Sequence, residues 1–493
     1  MRLIKSGSFL VFALLTALGL RLLVTGLYPL MDTTEARYGE VVRIMLELND
    51  WVTPWFDYDD PFWGKPPLAF WASAIGGKLL GLSEFALRLP QWILSCLVMI
   101  NLWYLASQRS HREALWAVAI LAGGWMFFAT SALIMTDMGL TLGITMAMVG
   151  FWRSLQSEKF AITNFDQLLL FSGLAIAILA KGPVSLALAI TPIFLWCLWQ
   201  RRLVEVISKF PWFFGGLLVT ALTLPWFIWA ELRTPGFLHY FVFEEHINRF
   251  FFPDIQDARF GSPHLEPKGK IWAFYAAAVL PWLIIFPMLW LTDKMKRQPA
   301  KPIENEGWAS YLLLFALTPG LLFTFSGSIL PAYVLPGLPA AAMLMAIWLG
   351  ARQRDQQNNL LVSAGVLSTV LVFAILFYVN ASSGDFDRRS TKALHADHAA
   401  LSNGDPIFYF GNIPFSARFY SQGQAQRIED PDIFPEVEDA RPIWIAYPKS
   451  QPIPEGFESH FRLISEYPRF NLWKQISVTN ATHHQTNSTT PVH

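Results

Sequence analysis

From residue 8 to residue 379 the chain alternates long apolar runs with short polar joins. The runs lie near 8–27, 90–106, 114–134, 138–152, 167–180, 184–199, 211–230, 271–292, 308–325, 331–349 and 360–379. A run of roughly 18 apolar residues crosses a bilayer as a helix, so the pattern predicts about eleven spans. The pair flanking Lys181-Gly182-Pro183 is short. The first run is broken only by Arg21 and shows no small-residue cleavage site before Asp32. It is longer than the apolar core of a signal peptide and reads as an uncleaved span.

Two polar regions interrupt the pattern. One is a long loop, residues 28–89, rich in acids and aromatics; the other is residues 231–270. After residue 380 the period changes. Residues 404–428, 441–447 and 461–476 hold short β-like runs with polar punctuation, which predicts a small soluble α/β domain over 381–477. The polar, Thr- and His-rich stretch 478–493 reads as disordered. No 20–50-residue repeat is visible, and the unequal loops count against an inverted-repeat transporter.

Basic residues mark alternate joins: Arg2 and Lys5; Arg109 and Arg112; Arg153 and Lys159; Arg201, Arg202 and Lys209; Lys294, Lys296, Arg297 and Lys301; Arg352 and Arg354. Such joins face the cytoplasm, so the N-terminus is expected inside and both polar loops and the C-terminal domain outside. Composition agrees with a polytopic membrane protein. The chain is 53% hydrophobic and 15% charged, with a mean hydropathy of +0.36, where soluble domains carry roughly 25% charged residues. Its formal net charge is zero, which gives no basis for a nucleic-acid partner. Cys96 and Cys197 both fall inside apolar runs, so they read as small core residues and not as a disulfide or thiolate site.

Candidate chemistry gathers outside. In the first loop, Asp32 and Glu35 precede apolar positions at helical spacing, a capping-box pattern. The same carboxylates suit a general base on an acceptor hydroxyl, and a capped carboxylate is also a positioned one. Lys65 precedes two prolines and a helical run; it is either a snorkelling interfacial lysine or a fixed cation for a lipid phosphate, a role open also to Arg37 and Arg88. Trp51, Trp55, Trp63 and Trp71 read as an interfacial belt. Asp137 suits a helix N-cap or a cavity wall, and Lys181 a helix C-terminus or a cavity cation. Glu245 and Arg249 are spaced as a helical i,i+4 pair, and His246 beside two carboxylates is a weak metal candidate. Charges sit at span ends rather than span midpoints, which favours an enzyme on a polar-headed lipid over a transporter or a scaffold.

Several blocks stand in one order: DTTEARYGEVVR (32–43), WVTP with FWGKPPLAFW (51–71), GLSEFALRLP (81–90), AKGP (180–183), LPWFIW (224–229), FLHYFVFEEHINRF (237–250) and SGSILPAYVLPGLPAAAML (326–344). Together they resemble the lipid A aminoarabinose transferase and protein O-mannosyltransferase group of bacterial GT-C glycosyltransferases, over about residues 1–350. The resemblance implies a multispan GT-C fold in the bacterial inner membrane. It implies a sugar donor carried on polyprenyl (undecaprenyl) phosphate, used on the periplasmic face, and a lipid, glycan or protein Ser/Thr acceptor. By the resemblance Asp32 and Glu35 share the catalytic role, and Lys65 lies near the lipid phosphate with Arg37, Arg88 and Arg249 as further donor-binding cations. Asp137, Lys181, Glu245 and His246 fall to the cavity or acceptor. The chain departs from the pattern at three places: Thr34 stands where the family has an aspartate, Gly64 where it has a metal-binding glutamate, and Ser326 and Ser328 where it has two lysines. No metal and no cofactor are therefore expected.

Overall fold

The structure, a computed structural model, describes residues 2–157, 164–252, 259–261, 264–296, 306–428 and 442–476. The chain divides into two compact units: Met1–Tyr28 with Val41–Val379, and Pro29–Glu40 with Asn380–His493. The expected disordered tail lies outside the described residues, as does Arg441 at the start of one predicted strand run.

The first unit is helical. Six helices are long and apolar enough to cross a membrane: Ser6–Val24, Glu84–Ala106, Thr136–Leu155, Trp212–Arg233, Pro331–Ala351 and Asp355–Ser382. Helices Ile271–Ala278 and Trp282–Met295, bent by 73° at their junction, make a seventh if taken as one span. Of the eleven expected spans, six or seven are met by helices of that length and composition among the described residues. The remaining predicted runs are helical but short or broken. Residues 114–134 split at Gly124 into His111–Gly123 and Trp125–Thr130, and the runs after them form Phe165–Lys181, Val184–Trp199 and Glu306–Phe323. Helix His111–Gly123 is almost wholly buried, so its apolar residues serve the protein core. Hydropathy alone cannot tell that burial from burial in lipid.

Two of these helices fix the geometry of the site. Thr136–Leu155 and Phe165–Lys181 pack backbone to backbone. A Cβ added at Gly143 would stand 2.6 Å from the Gly173 carbonyl oxygen, and one at Gly173 would stand 2.7 Å from that of Gly143. Small residues permit this approach between membrane helices, and it brings the start of one helix beside the end of the other. In the first polar loop, β1 (Trp55–Asp57) and β2 (Asp60–Pro61) form a short antiparallel hairpin ahead of helix Leu68–Leu80.

The second unit carries a five-stranded sheet from β3 (Ile407–Phe410), β4 (Gln426–Ile428), β5 (Trp444–Pro448), β6 (Phe461–Glu466) and β7 (Phe470–Gln475). Its order is β4-β3-β5-β7-β6. β3 pairs in parallel with β4 and β5, and β7 runs antiparallel to β5 and β6. The β3-to-β4 crossover contains helix Phe415–Tyr420, a compact βαβ unit. One face buries Ile407, Tyr409, Trp444 and Leu472, the other Phe408, Ile445 and Trp473. Side chains alternate with period two along these strands, and both faces of the sheet are buried.

Candidate active site

A cavity of about 320 Å³ opens in the helical unit, lined by Lys65, Lys181, Glu245, His246, Arg249 and Tyr333 among others. The 231–270 loop supplies its centre. Residues Tyr240–Asn248 form a π-helix that runs into a helical turn at Arg249–Phe251. Such wide turns recur at functional sites. Glu245 ion-pairs with Lys65, and Arg249 Nη1 donates to both Glu245 oxygens at 2.9 and 3.0 Å. The predicted i,i+4 pair therefore exists, with Lys65 as its third member. Lys65 also donates to the Gly64 carbonyl at 2.7 Å.

A second pair sits alongside. Lys181, ending helix Phe165–Lys181, ion-pairs with Asp137 in the first turn of Thr136–Leu155. The N-cap of that helix is Met135, so Asp137 is a buried counter-ion and not a cap. Lys181 Nζ lies 4.3 Å from the centre of the Tyr333 ring, a cation–π contact. Gly182 follows with φ +72°, in the region that favours glycine. A Cβ there would come within 2.5 Å of the Phe241 ring, so the turn and the π-helix fit only around glycine.

The cluster holds three cations, Lys65, Lys181 and Arg249, against two carboxylates, Glu245 and Asp137, leaving one positive charge. Burial pushes the Lys65 ammonium down to about 8, and Glu245 offsets part of that. For Glu245, burial acts to raise its pKa, but Lys65 and Arg249 together outweigh it and hold the carboxyl below its ordinary value. At neutral pH both partners are charged. His246 is held below its ordinary value by burial, against two facing carbonyls. Its Nδ1 lies 2.7 Å from the Phe241 oxygen and its Nε2 3.0 Å from the Lys181 oxygen.

These residues do not fit the metal site that the resemblance carries. Both His246 nitrogens face carbonyls, both Glu245 oxygens face cations, and residue 64 is glycine. Among the described residues, no three His, Cys, Asp or Glu side chains are grouped to hold an ion.

Each of the other predicted residues is placed within its own unit. Arg88 is fully buried, donates to the Thr25 and Tyr28 carbonyls at 2.7 Å each, and stacks 3.6 Å from the centre of the Tyr28 ring. It caps the end of the first span and does not line the cavity. Asp32, Glu35 and Arg37 belong to the second unit. Asp32 does not close a capping box: its carboxylate accepts from Ser416 and Arg469. Glu35 is buried in the first turn of helix Thr34–Glu47. The Arg37 guanidinium lies 5.5 Å from the Tyr38 ring centre and 6.0 Å from that of Phe415. Sequence reasoning singled out neither Tyr333 nor the two partners of Asp32. Tyr333 sits in the Pro-flanked turn Pro331–Gly337, and that turn was its signal.

The model of the family described as dolichyl-phosphate-mannose-protein mannosyltransferase matches residues 6–241. The undecaprenyl phosphate-alpha-4-amino-4-deoxy-L-arabinose arabinosyl transferase of Erwinia tasmaniensis is 30% identical over 363 residues, covering 71% of this chain and 62% of that protein. That of Shewanella sediminis is 28% identical, covering 66% and 57%. The chain thus spans less than two thirds of the length of these relatives. The crystal structure of ArnT from Cupriavidus metallidurans bound to undecaprenyl phosphate superimposes with a TM-score of 0.76 at 17% identity, over 96% of this chain and 98% of that one. The chain is thus similar over residues 6–241 to the mannosyltransferase family and over 71% of its length to the arabinosyl transferases, and it shares the fold of the solved ArnT.

Proposed function

We propose that this chain is an integral-membrane glycosyltransferase. It moves a sugar from a polyprenyl-phosphate donor to a lipid or other cell-envelope acceptor on the periplasmic face of the inner membrane, with the N-terminus cytoplasmic. The observation that carries the reading is the single surplus cation of the Lys65–Glu245–Arg249 and Lys181–Asp137 cluster. One positive charge in a partly dry cavity matches the one negative charge of a sugar phosphodiester. The structural neighbour crystallised with undecaprenyl phosphate and the names of the relatives support the same class of donor.

The chemistry is inverting displacement at the anomeric carbon. As the C1–O bond breaks, negative charge grows on the departing lipid phosphate. Lys65 and Arg249 face that charge, and preorganised cations aimed at developing charge lower the barrier most effectively. Glu245 holds both cations in place before the donor arrives. A first-loop carboxylate, Asp32 or Glu35, takes the proton of an acceptor hydroxyl.

The test is direct transfer. Purified protein is incubated with labelled polyprenyl-phosphate sugar and, in parallel, a membrane-lipid extract or an envelope-protein fraction. Label on a new lipid establishes the transferase and its acceptor class; label on protein selects the O-glycosylating alternative. Donor that neither binds nor transfers refutes the reading and returns the chain to transport.

A further inference from the structure

The pairing of His246 with Glu245 is the nearest the cavity comes to a metal site, and both side chains are engaged. A metal-bound histidine donates the N–H of one ring nitrogen to a carbonyl or carboxylate and turns its other nitrogen to the ion. His246 has a backbone oxygen in front of both: that of Phe241 at 2.7 Å from Nδ1 and that of Lys181 at 3.0 Å from Nε2. A neutral ring donates to one of these oxygens and has the other across its lone pair; a charged ring donates to both. In either state no nitrogen is open to a metal. The neighbouring carboxylate is closed as well. Arg249 Nη1 donates to both Glu245 oxygens, and Lys65 pairs with one of them. At residue 64 an added Cβ would stand 3.1 Å from the Phe62 ring and 3.6 Å from that of Phe260, so aromatic rings fill the space where a ligating side chain would begin.

The two carbonyls belong to different arms of the cavity. Phe241 lies in the π-helix Tyr240–Asn248, which also carries Glu245 and leads to Arg249. Lys181 ends helix Phe165–Lys181 and pairs with Asp137. The His246 ring reaches from one arm to the other. It packs edge-to-face with the Phe241 ring, 4.7 Å between centres, and lies over Gly182, where an added Cβ would stand 3.2 Å from His246 Cε1. We propose that His246 is a metal-free clasp, a positioning residue whose ring bridges the Phe241 and Lys181 carbonyls and so fixes the Lys181–Asp137 pair against the Lys65–Glu245–Arg249 triad. The charge arrangement of the cavity then needs no divalent ion. The part of this inference that concerns donor binding rests on the glycosyltransferase reading.

The experiment separates a clasp from a ligand by substitution. Glutamine keeps an N–H donor and is a poor metal ligand, whereas cysteine ligates metal well and donates weakly. Equilibrium binding of labelled polyprenyl-phosphate sugar is measured for wild type, His246→Ala, His246→Gln and His246→Cys, with and without a divalent-metal chelator. Metal content and a melting curve are taken for each protein, purified without chelator. His246→Ala should weaken donor Kd about tenfold, the scale of one or two lost hydrogen bonds. His246→Gln should recover most of that loss, and His246→Cys should match His246→Ala. Chelator should leave the wild-type Kd and melting temperature unchanged, and the purified protein should carry far less than one metal ion per chain. A stoichiometric ion that is lost in both His246→Ala and His246→Gln overturns the proposal, as does a wild type whose donor affinity or melting temperature drops with chelator. So do wild-type affinity and melting temperature in His246→Ala. If the wild type binds no donor, the functional reading fails, and metal content with the melting temperatures still decides the clasp: His246→Gln near wild type with His246→Ala and His246→Cys lower supports it, and any other order sinks it.

Discussion

Replacing Lys65 by Met removes one of three cations and brings the cluster from one net positive charge to none. A unit charge about 4 Å from a phosphate, at an effective dielectric near 20, is worth roughly 4 kcal/mol. Arg249 stays, and Glu245 already cancels part of the field that the donor feels. The expected loss is therefore about 2–3 kcal/mol, roughly 30- to 150-fold in donor Kd. Folding should survive, because Glu245 keeps two bonds to Arg249 at 2.9 and 3.0 Å and is not left unpaired. The assay is equilibrium binding of labelled polyprenyl-phosphate sugar to detergent-solubilised protein, with Lys65→Arg as the control that keeps the charge. A Lys65→Met Kd within threefold of wild type, in protein whose melting curve is unchanged, refutes the placement of the phosphate at this cluster.

Further predictions concern the same residues and their neighbours. Burial holds the free-protein Lys65 at about 8, so its ammonium is present below that pH and lost as pH rises through it. Donor Kd should be flat below pH 8, weaken about tenfold per unit above it, and lose this dependence in Lys65→Arg. The Lys181 and Asp137 side chains are 10% and 7% exposed. Lys181→Met should cost roughly 3–5 kcal/mol by leaving a buried carboxylate alone, and pairing it with Asp137→Asn should restore most of the melting temperature. Arg88→Met orphans the Thr25 and Tyr28 carbonyls. It should lower stability by about 2–4 kcal/mol, seen as a lower melting temperature, while donor Kd stays at the wild-type value; a weakened Kd in folded protein would return Arg88 to the donor site.

What the sequence determined by itself was the part written in local periodicity. Apolar runs, short basic joins and the change to β-like alternation after residue 380 yielded a polytopic helical unit and a small sheet domain, because hydrophobic period is set residue by residue. The Glu245–Arg249 pair was legible for the same reason, since i,i+4 neighbours on one turn meet without help from the rest of the fold. Tertiary structure decided the rest. It showed that helix His111–Gly123 is buried in protein, a distinction hydropathy does not encode. It joined Lys65 to Glu245 and Lys181 to Asp137 across 180 and 44 residues, the second through helices that glycine lets touch. It moved Arg88 from the expected phosphate site to a helix end, and it gave both oxygens of Asp32 to Ser416 and Arg469. A side chain's charge is fixed by its own atoms. Which opposite charge or carbonyl it meets depends on where the whole chain brings distant backbone together, and no local pattern records that.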